Sequence, residues 1–359
     1  MNKSLLGVLK IVLFVSIGFF LLYLVFDKFD GYYQEECALQ DIASEDCSLL
    51  NRLWQDFSSA NWWWLGLTIV LYLLSNLSRA ARWIMLLRPM GYRPRFWNGF
   101  LTVMLGYFGN LGFPRAGEVL RPTTFSSYEK IPLERTLATI VVDRLVDVIS
   151  LGVVVGLTLL LEFDKIQTFL AANLPNESES EGISMWWPVA AITLLFLLGA
   201  VYFLRNWIRE TALYGKLRDT IRGFREGLLT ILHLERPFVF VLHSINIWLM
   251  YYLMTYLAFF AFAPTADLPA IAGLLVFTFG AFGIVIPTPG GMGTYHLLVV
   301  SGLTLFYGIS GIDAFAFANL AFFSIQVGGN VIFGLLSTIL LPIYNKNYSP
   351  PAPLPSAEA

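Results

Sequence analysis

The chain has 359 residues, 57% of them hydrophobic and 13% charged, with a mean hydropathy of +0.66; ordinary soluble domains carry about 25% charged residues. This composition excludes an ordinary soluble fold. The formal net charge of -2 hides a segregation of sign along the chain, so partners are read from local charge, and nothing points to nucleic acid.

Lys3 and Lys10 precede an apolar run over residues 11–26 that is followed by no small-x-small cleavage site. Residues 1–26 are therefore expected to be an uncleaved first transmembrane helix with a cytoplasmic N-terminus. Residues 27–61 form an acidic loop, expected outside, that holds both cysteines, Cys37 and Cys47. An oxidising exterior permits a disulfide between them; two free thiols are the alternative, because spacing does not fix geometry.

A membrane helix needs about 20 mainly apolar residues, and 5–26, 62–87, 137–163, 185–204, 238–262 and 312–341 meet that need. Trp62, Trp63, Trp64, Trp186 and Trp187 stand at span edges, where amphipathic rings prefer the water–lipid boundary. Lys and Arg favour cytoplasmic loops. Arg88, Arg93 and Arg95 mark one such loop, seven cations between Arg205 and Arg236 mark another, and 237–345 contains neither residue type. This bias survives only if the interrupted apolar stretch 97–125 dips in from the cytoplasm and returns. A second dip over 270–308, entering from outside, is compatible with a cytoplasmic C-terminus.

The cations of 205–236 interleave with Leu213, Leu217, Ile221, Phe224 and Leu228, an apolar stripe at helical spacing. That pattern predicts a helix on the inner membrane surface that attracts anionic lipid, with a solvated connector as the plainer alternative. Residues 342–359 read as a disordered cytoplasmic tail. The expected fold is all-α: a polytopic transmembrane bundle of about six full spans plus two re-entrant hairpins within a domain over 62–341. It is expected in the cell membrane.

The two broken stretches share an order of residues. The first reads Gly106-Tyr107-Phe108-Gly109, then Pro114 and Gly117; the second reads Gly280-Ala281-Phe282-Gly283, then Pro287 and Gly290. The helices before them are expected to run in opposite directions, which makes the units an inverted repeat, a common transporter design. Broken helices free backbone N–H and C=O groups that hydrocarbon does not satisfy, so such backbone is buried in protein or lines a wet cavity. Kinks at helix packing contacts are the alternative.

The first hairpin carries Arg115, Glu118 and Arg121, and the next helix carries Asp143, Arg144 and Asp147. Each unpaired charge at the membrane centre costs roughly 2.5–3.5 kcal/mol, so these six must be paired or hydrated. Their signs sum to zero. They either lock hairpin to helix, or the arginines take a lipid phosphate in bidentate fashion while the carboxylates hold them when the site is empty. Asn110, Gln326 and Asn330 are further candidates to line the cavity, with polar helix–helix contacts as the alternative. In the second hairpin Thr288, Gly290 and Gly291 precede a helix start suited to an anion. There His296 is either a proton-linked group or a packing residue.

Among His233, His243 and His296 there is no metal cluster, and neither a Ser/His/Asp arrangement nor a P-loop is present, so no cofactor and no self-contained catalysis are expected. The candidate partners are a membrane lipid and a second copy of the chain.

Four motifs together resemble a known family: Arg79-x-x-Arg82-Trp83-x-x-Leu86-Leu87; Gly109-Asn110 with Pro114-Arg115-x-Gly117-Glu118-x-x-Arg121; Asp143-Arg144-x-x-Asp147; and Pro287-x-Pro289-Gly290-Gly291-x-Gly293. It is that of the lysylphosphatidylglycerol synthase transmembrane region, also called flippase-like membrane domains, and the resemblance runs from about Trp62 to Leu341. It implies transport of a phospholipid, anionic or amino-modified, or of a polyprenyl-phosphate lipid across the bilayer. The soluble aminoacyl-transfer domain that such synthases carry is not seen here, so synthase activity is not implied. The alternative is a membrane-bound lipid-modifying enzyme or an accessory subunit of one.

Overall fold

The computed structural model describes residues 16, 20, 23, 24, 26–35, 37, 38, 47–173 and 234–351. The expected span 185–204 and residues 352–359 lie outside them, as do most of the first span and all but the last three residues of the basic stretch 205–236. Residues 163–233 form a separate unit, of which the described part is one short helix over Phe163–Asn173. The rest belongs to a single helical unit.

That unit repeats one order of elements twice. Helix α1 (Leu49–Ser59) leads into α2 (Trp62–Leu87), a broken pair α3 (Phe96–Gly112) and α4 (Gly117–Glu129), and then α5 (Leu133–Leu161). The second round is α6 (Pro237–Phe259), a broken pair α7 (Ala270–Val285) and α8 (Thr294–Tyr307), and α9 (Gly311–Phe323), which continues through a wide π-helical stretch, Ser324–Val331, into α10 (Ile332–Tyr344). Among the described residues, Trp62–Leu87, Leu133–Leu161, Pro237–Phe259 and Gly311–Tyr344 are long and apolar enough to cross a membrane. They match four of the six expected spans. Their outward faces carry Val141, Val148, Leu160, Ile245, Ile339 and Ile343, all exposed, as suits a lipid-facing surface and not a watery one.

The broken helices are shorter. At 1.5 Å per residue α3, α4, α7 and α8 reach only about 20–26 Å, less than the roughly 30 Å of a hydrocarbon core. What breaks them is local. Phe113 leaves helical geometry before Pro114, and Arg115 sits in the left-handed region at φ 62°. In the second pair the chain turns through Gly290, Gly291 and Gly293, all at positive φ.

One glycine in each pair does the same job, though at different places in the shared order of residues. A Cβ on Gly117 would fall on the Gly106 carbonyl oxygen, and a Cβ on Gly283 would lie 2.6 Å from the Tyr295 Cα. In each pair the missing side chain lets the returning helix touch the outgoing one. The spans ahead of the two pairs run antiparallel. Arg82 bonds Ser244 and Ser78 bonds Asn246 near one end, while the Trp64 ring packs against that of Phe260 and Asn61 N–H donates to Ala261 C=O at the other.

At the α1 end, Phe29, Leu49, Phe259, Leu303, Phe315 and Phe317 close a buried core, and Cys37 is joined to Cys47 with Cα atoms 6.2 Å apart. At the opposite end of α3, Asn98 and Asn345 exchange amide hydrogen bonds of 2.8 and 2.7 Å. Glu129 accepts from Tyr348 there, and Arg95 lies 3.6 Å from the Tyr348 ring centre.

Candidate functional site

The charges are carried on spans, not on surface loops. Arg79 and Arg82 stand about 12 and 8 Å from the C-terminal end of α2, and Asp143 and Asp147 about 15 and 21 Å into α5, at the helical rise of 1.5 Å. Spacings of three and four put each pair on one helix face, and the faces meet. Arg82 places Nη2 2.6 Å from Asp143 Oδ1 and 2.7 Å from Asp147 Oδ1. Arg79 Nη1 lies 2.7 Å from Asp147 Oδ2 and 3.6 Å from Asp143 Oδ2. The side chains of Arg82 and Asp143 are wholly buried.

Arg121 comes from α4 and reaches the same carboxylate, 3.5 Å from Asp143 Oδ2, while its guanidinium covers the Trp83 ring at 3.9 Å. Arg144, half-exposed, sits 3.6 Å from Glu118 Oε1 and 3.7 Å from Asp147 Oδ2. Arg115 is exposed, and among the described residues no carboxylate lies within ion-pair range of it.

The neutral sum expected from six residues is therefore corrected. Arg79 and Arg82 belong to the same cluster, so five arginines face three carboxylates and two positive charges are left over. The two further members are arginines at i, i+3 inside an apolar stretch, and their partners Asp143 and Asp147 stand on a different span.

Beside this cluster lies a cavity of about 500 Å³, within the range of small-molecule sites. Both breaks border it. The first contributes Asn110, Pro114, Arg115 and Glu118, and the second Pro287, Thr288, Gly290 and Gly291, with Arg79, Arg144 and Asp147 on the wall between them. Tyr107 and Tyr251, which sequence did not single out, line it as well and place their hydroxyls 3.3 Å apart, Tyr251 also accepting from Arg79 at 3.3 Å.

The second break is held by a chain of amides. Gln326 donates to Gly290 C=O at 2.6 Å, Asn330 donates to Gln326, and Tyr72 donates to Asn330. Gln326 and Asn330 project from the π-helical stretch, a distortion that recurs at functional sites. In the first break Asn110 Oδ1 accepts the Gly117 N–H at 2.7 Å, tying α3 to α4.

Three expected residues stand apart from the cavity wall. Asp143 lies behind it and holds Arg82, and Arg121 reaches that same carboxylate. His296 is fully buried, its ring centre 4.6 Å from that of Phe322, and it faces Phe315 on another side.

The sequence profile of the lysylphosphatidylglycerol synthase TM region matches residues 48–334. The chain belongs to that family. Two curated proteins share part of it. The glycosyltransferase AglD of Haloferax volcanii is 33% identical over 117 residues, 30% of this chain and 18% of that protein. A UPF0104 membrane protein of Methanocaldococcus jannaschii is 34% identical over 84 residues, 23% of this chain and 25% of that protein. The aligned segments thus span a quarter or less of these relatives' length. No solved structure matches. The matched range in this lysylphosphatidylglycerol synthase TM-region protein takes in both broken pairs and every residue of the charge cluster.

Proposed function

We propose that this chain carries lipids across the bilayer, taking a phosphate-bearing headgroup into the cavity between the two breaks while the hydrocarbon tails stay in lipid. The observation that carries this is the surplus of two arginine charges beside a cavity bounded by both broken helices. Membership of a lipid-handling family supports the same class of work. In the empty site Glu118 occupies Arg144; an entering phosphate displaces it and takes the guanidinium forks of Arg144 and Arg115, which suit tetrahedral oxyanions.

No helix of either broken pair is long enough to cross alone, and the spans before the pairs are antiparallel, which supports reading the two rounds as an inverted repeat of re-entrant hairpins around the site. The basic loops support a reading in which both termini are cytoplasmic. Reconstitution in vesicles with fluorescent phospholipids tests this. Transbilayer movement should exceed that of protein-free vesicles and fall on Arg115→Ala; movement equal to the blank for every headgroup tried would overturn it.

A second reading, a lipid-modifying enzyme or its accessory subunit, draws on the partial likeness to a protein named as a glycosyltransferase. A new headgroup species in lipid extracts of expressing cells would favour that reading.

A further inference from the structure

We infer that the cavity selects a headgroup bearing about two negative charges, a phosphomonoester or diphosphate, over a singly charged phosphodiester, and disfavours a headgroup carrying amino groups. This inference rests on the reading of the cavity as a lipid headgroup site.

The case is made by which carboxylates are already used. Asp147 turns one oxygen to Arg82 and the other to Arg79, each at 2.7 Å. Asp143 gives one oxygen to Arg82 and turns the other toward Arg121. Neither carboxylate is left to receive an ammonium. Glu118 is the remaining acid on the wall, and it is held near Arg144 at 3.6 Å.

The cations are distributed the opposite way. Arg115 faces the cavity with no carboxylate in reach among the described residues, and Arg144 is shared weakly between two acids at 3.6 and 3.7 Å. A phosphomonoester carries about −1.5 to −2 at neutral pH and would cancel the surplus of two. A phosphodiester cancels half of it, and an aminoacyl ester adds to it, a like-charge placement that binding sites use to reject wrong partners.

The test is equilibrium binding to the full-length chain in detergent. Its probes are dioctanoyl phosphatidic acid, dioctanoyl phosphatidylglycerol, dioctanoyl lysyl-phosphatidylglycerol and inorganic pyrophosphate. Phosphatidic acid should bind more tightly than phosphatidylglycerol by roughly tenfold or more, and the lysyl ester more weakly than both. Pyrophosphate should compete only weakly, having no tails; competition equal to the lipid's would show a site for free phosphate and overturn the lipid assignment.

Arg115→Asn removes the charge while Asn tolerates left-handed backbone, and it should shrink the preference for phosphatidic acid toward unity. Glu118→Gln should enlarge it. Equal binding of the three lipids, or a preference untouched by Arg115→Asn, overturns the inference. Vesicle transport keeps the two ideas separate: movement with the reversed binding order sinks only the charge selectivity, whereas the expected order without movement sinks only transport.

Discussion

Arg82 and Asp143 meet at 2.6 Å with neither side chain exposed, and this contact joins the span before the first broken pair to the span after it. Removing one partner of a buried ion pair typically costs 3–5 kcal/mol, because the other charge is stranded, while replacing both by apolar groups can be neutral. Asp143→Asn should therefore lower stability by about 3 kcal/mol or more. Combining Arg82→Met with Asp143→Leu should recover part of that loss and not all of it, because Arg121 still loses its carboxylate, read as thermal unfolding in detergent. Equal damage from the single and double changes would show that the pair is not the source of the cost.

Arg115 occupies a left-handed conformation that costs a residue with a Cβ roughly 1–2 kcal/mol. Arg115→Gly should raise the unfolding midpoint while lowering transport, a stability gain coupled to a functional loss. Loss of both would mean that the side chain holds the break in shape.

The crossing of the first pair sets a steric limit. Gly117→Ala forces the new methyl onto the Gly106 carbonyl, and Gly283→Ala forces it against the Tyr295 backbone; overpacking of this kind costs about 1–3 kcal/mol or more. Gly66 in α2 has nothing within 4 Å of its Cβ position, so Gly66→Ala should be neutral or stabilising by up to about 1 kcal/mol. Folded yield by size-exclusion chromatography separates these outcomes.

The Cys37–Cys47 bond closes a loop with a sequence separation of 10. Chain-entropy arguments assign such a loop about 3 kcal/mol, so Cys37→Ser should lower thermal stability by that order. A maleimide label should react with the native chain only after reduction, and labelling of unreduced protein would contradict the bond.

Much of this architecture was written in residue order. Gly106, Gly109 and Gly117 against Gly280, Gly283 and Gly290 announced the two breaks, because few other residues permit helices to cross so closely. Eight of the eleven proposed site residues line the cavity, among them Asn110, Arg115 and Thr288. The charge balance was less legible. Arg79 and Arg82 lie some sixty residues from Asp143 and Asp147, and only folding reveals that the two faces are apposed. His296 is legible in the sequence as a titratable group, and what the sequence does not show is that its ring is enclosed by Phe315 and Phe322. Gln326 and Asn330 are legible as polar residues inside an apolar span and both line the cavity, whereas their chain to Tyr72 depends on a local π-helix that no residue pattern announces.

That widened turn has a consequence for the length of the chain. A π-helical turn holds one residue more than an α-turn, and each residue of an α-helix advances the chain by about 100°. Deleting one residue between Ser324 and Val331 should therefore let the segment relax into an ordinary helix with α10 kept roughly in phase with α9, at the cost of the widened turn from which Gln326 and Asn330 project. In this stretch a one-residue change in length is taken up by the width of the turn, and what depends on that residue is the hydrogen-bonded chain from Tyr72 to Gly290.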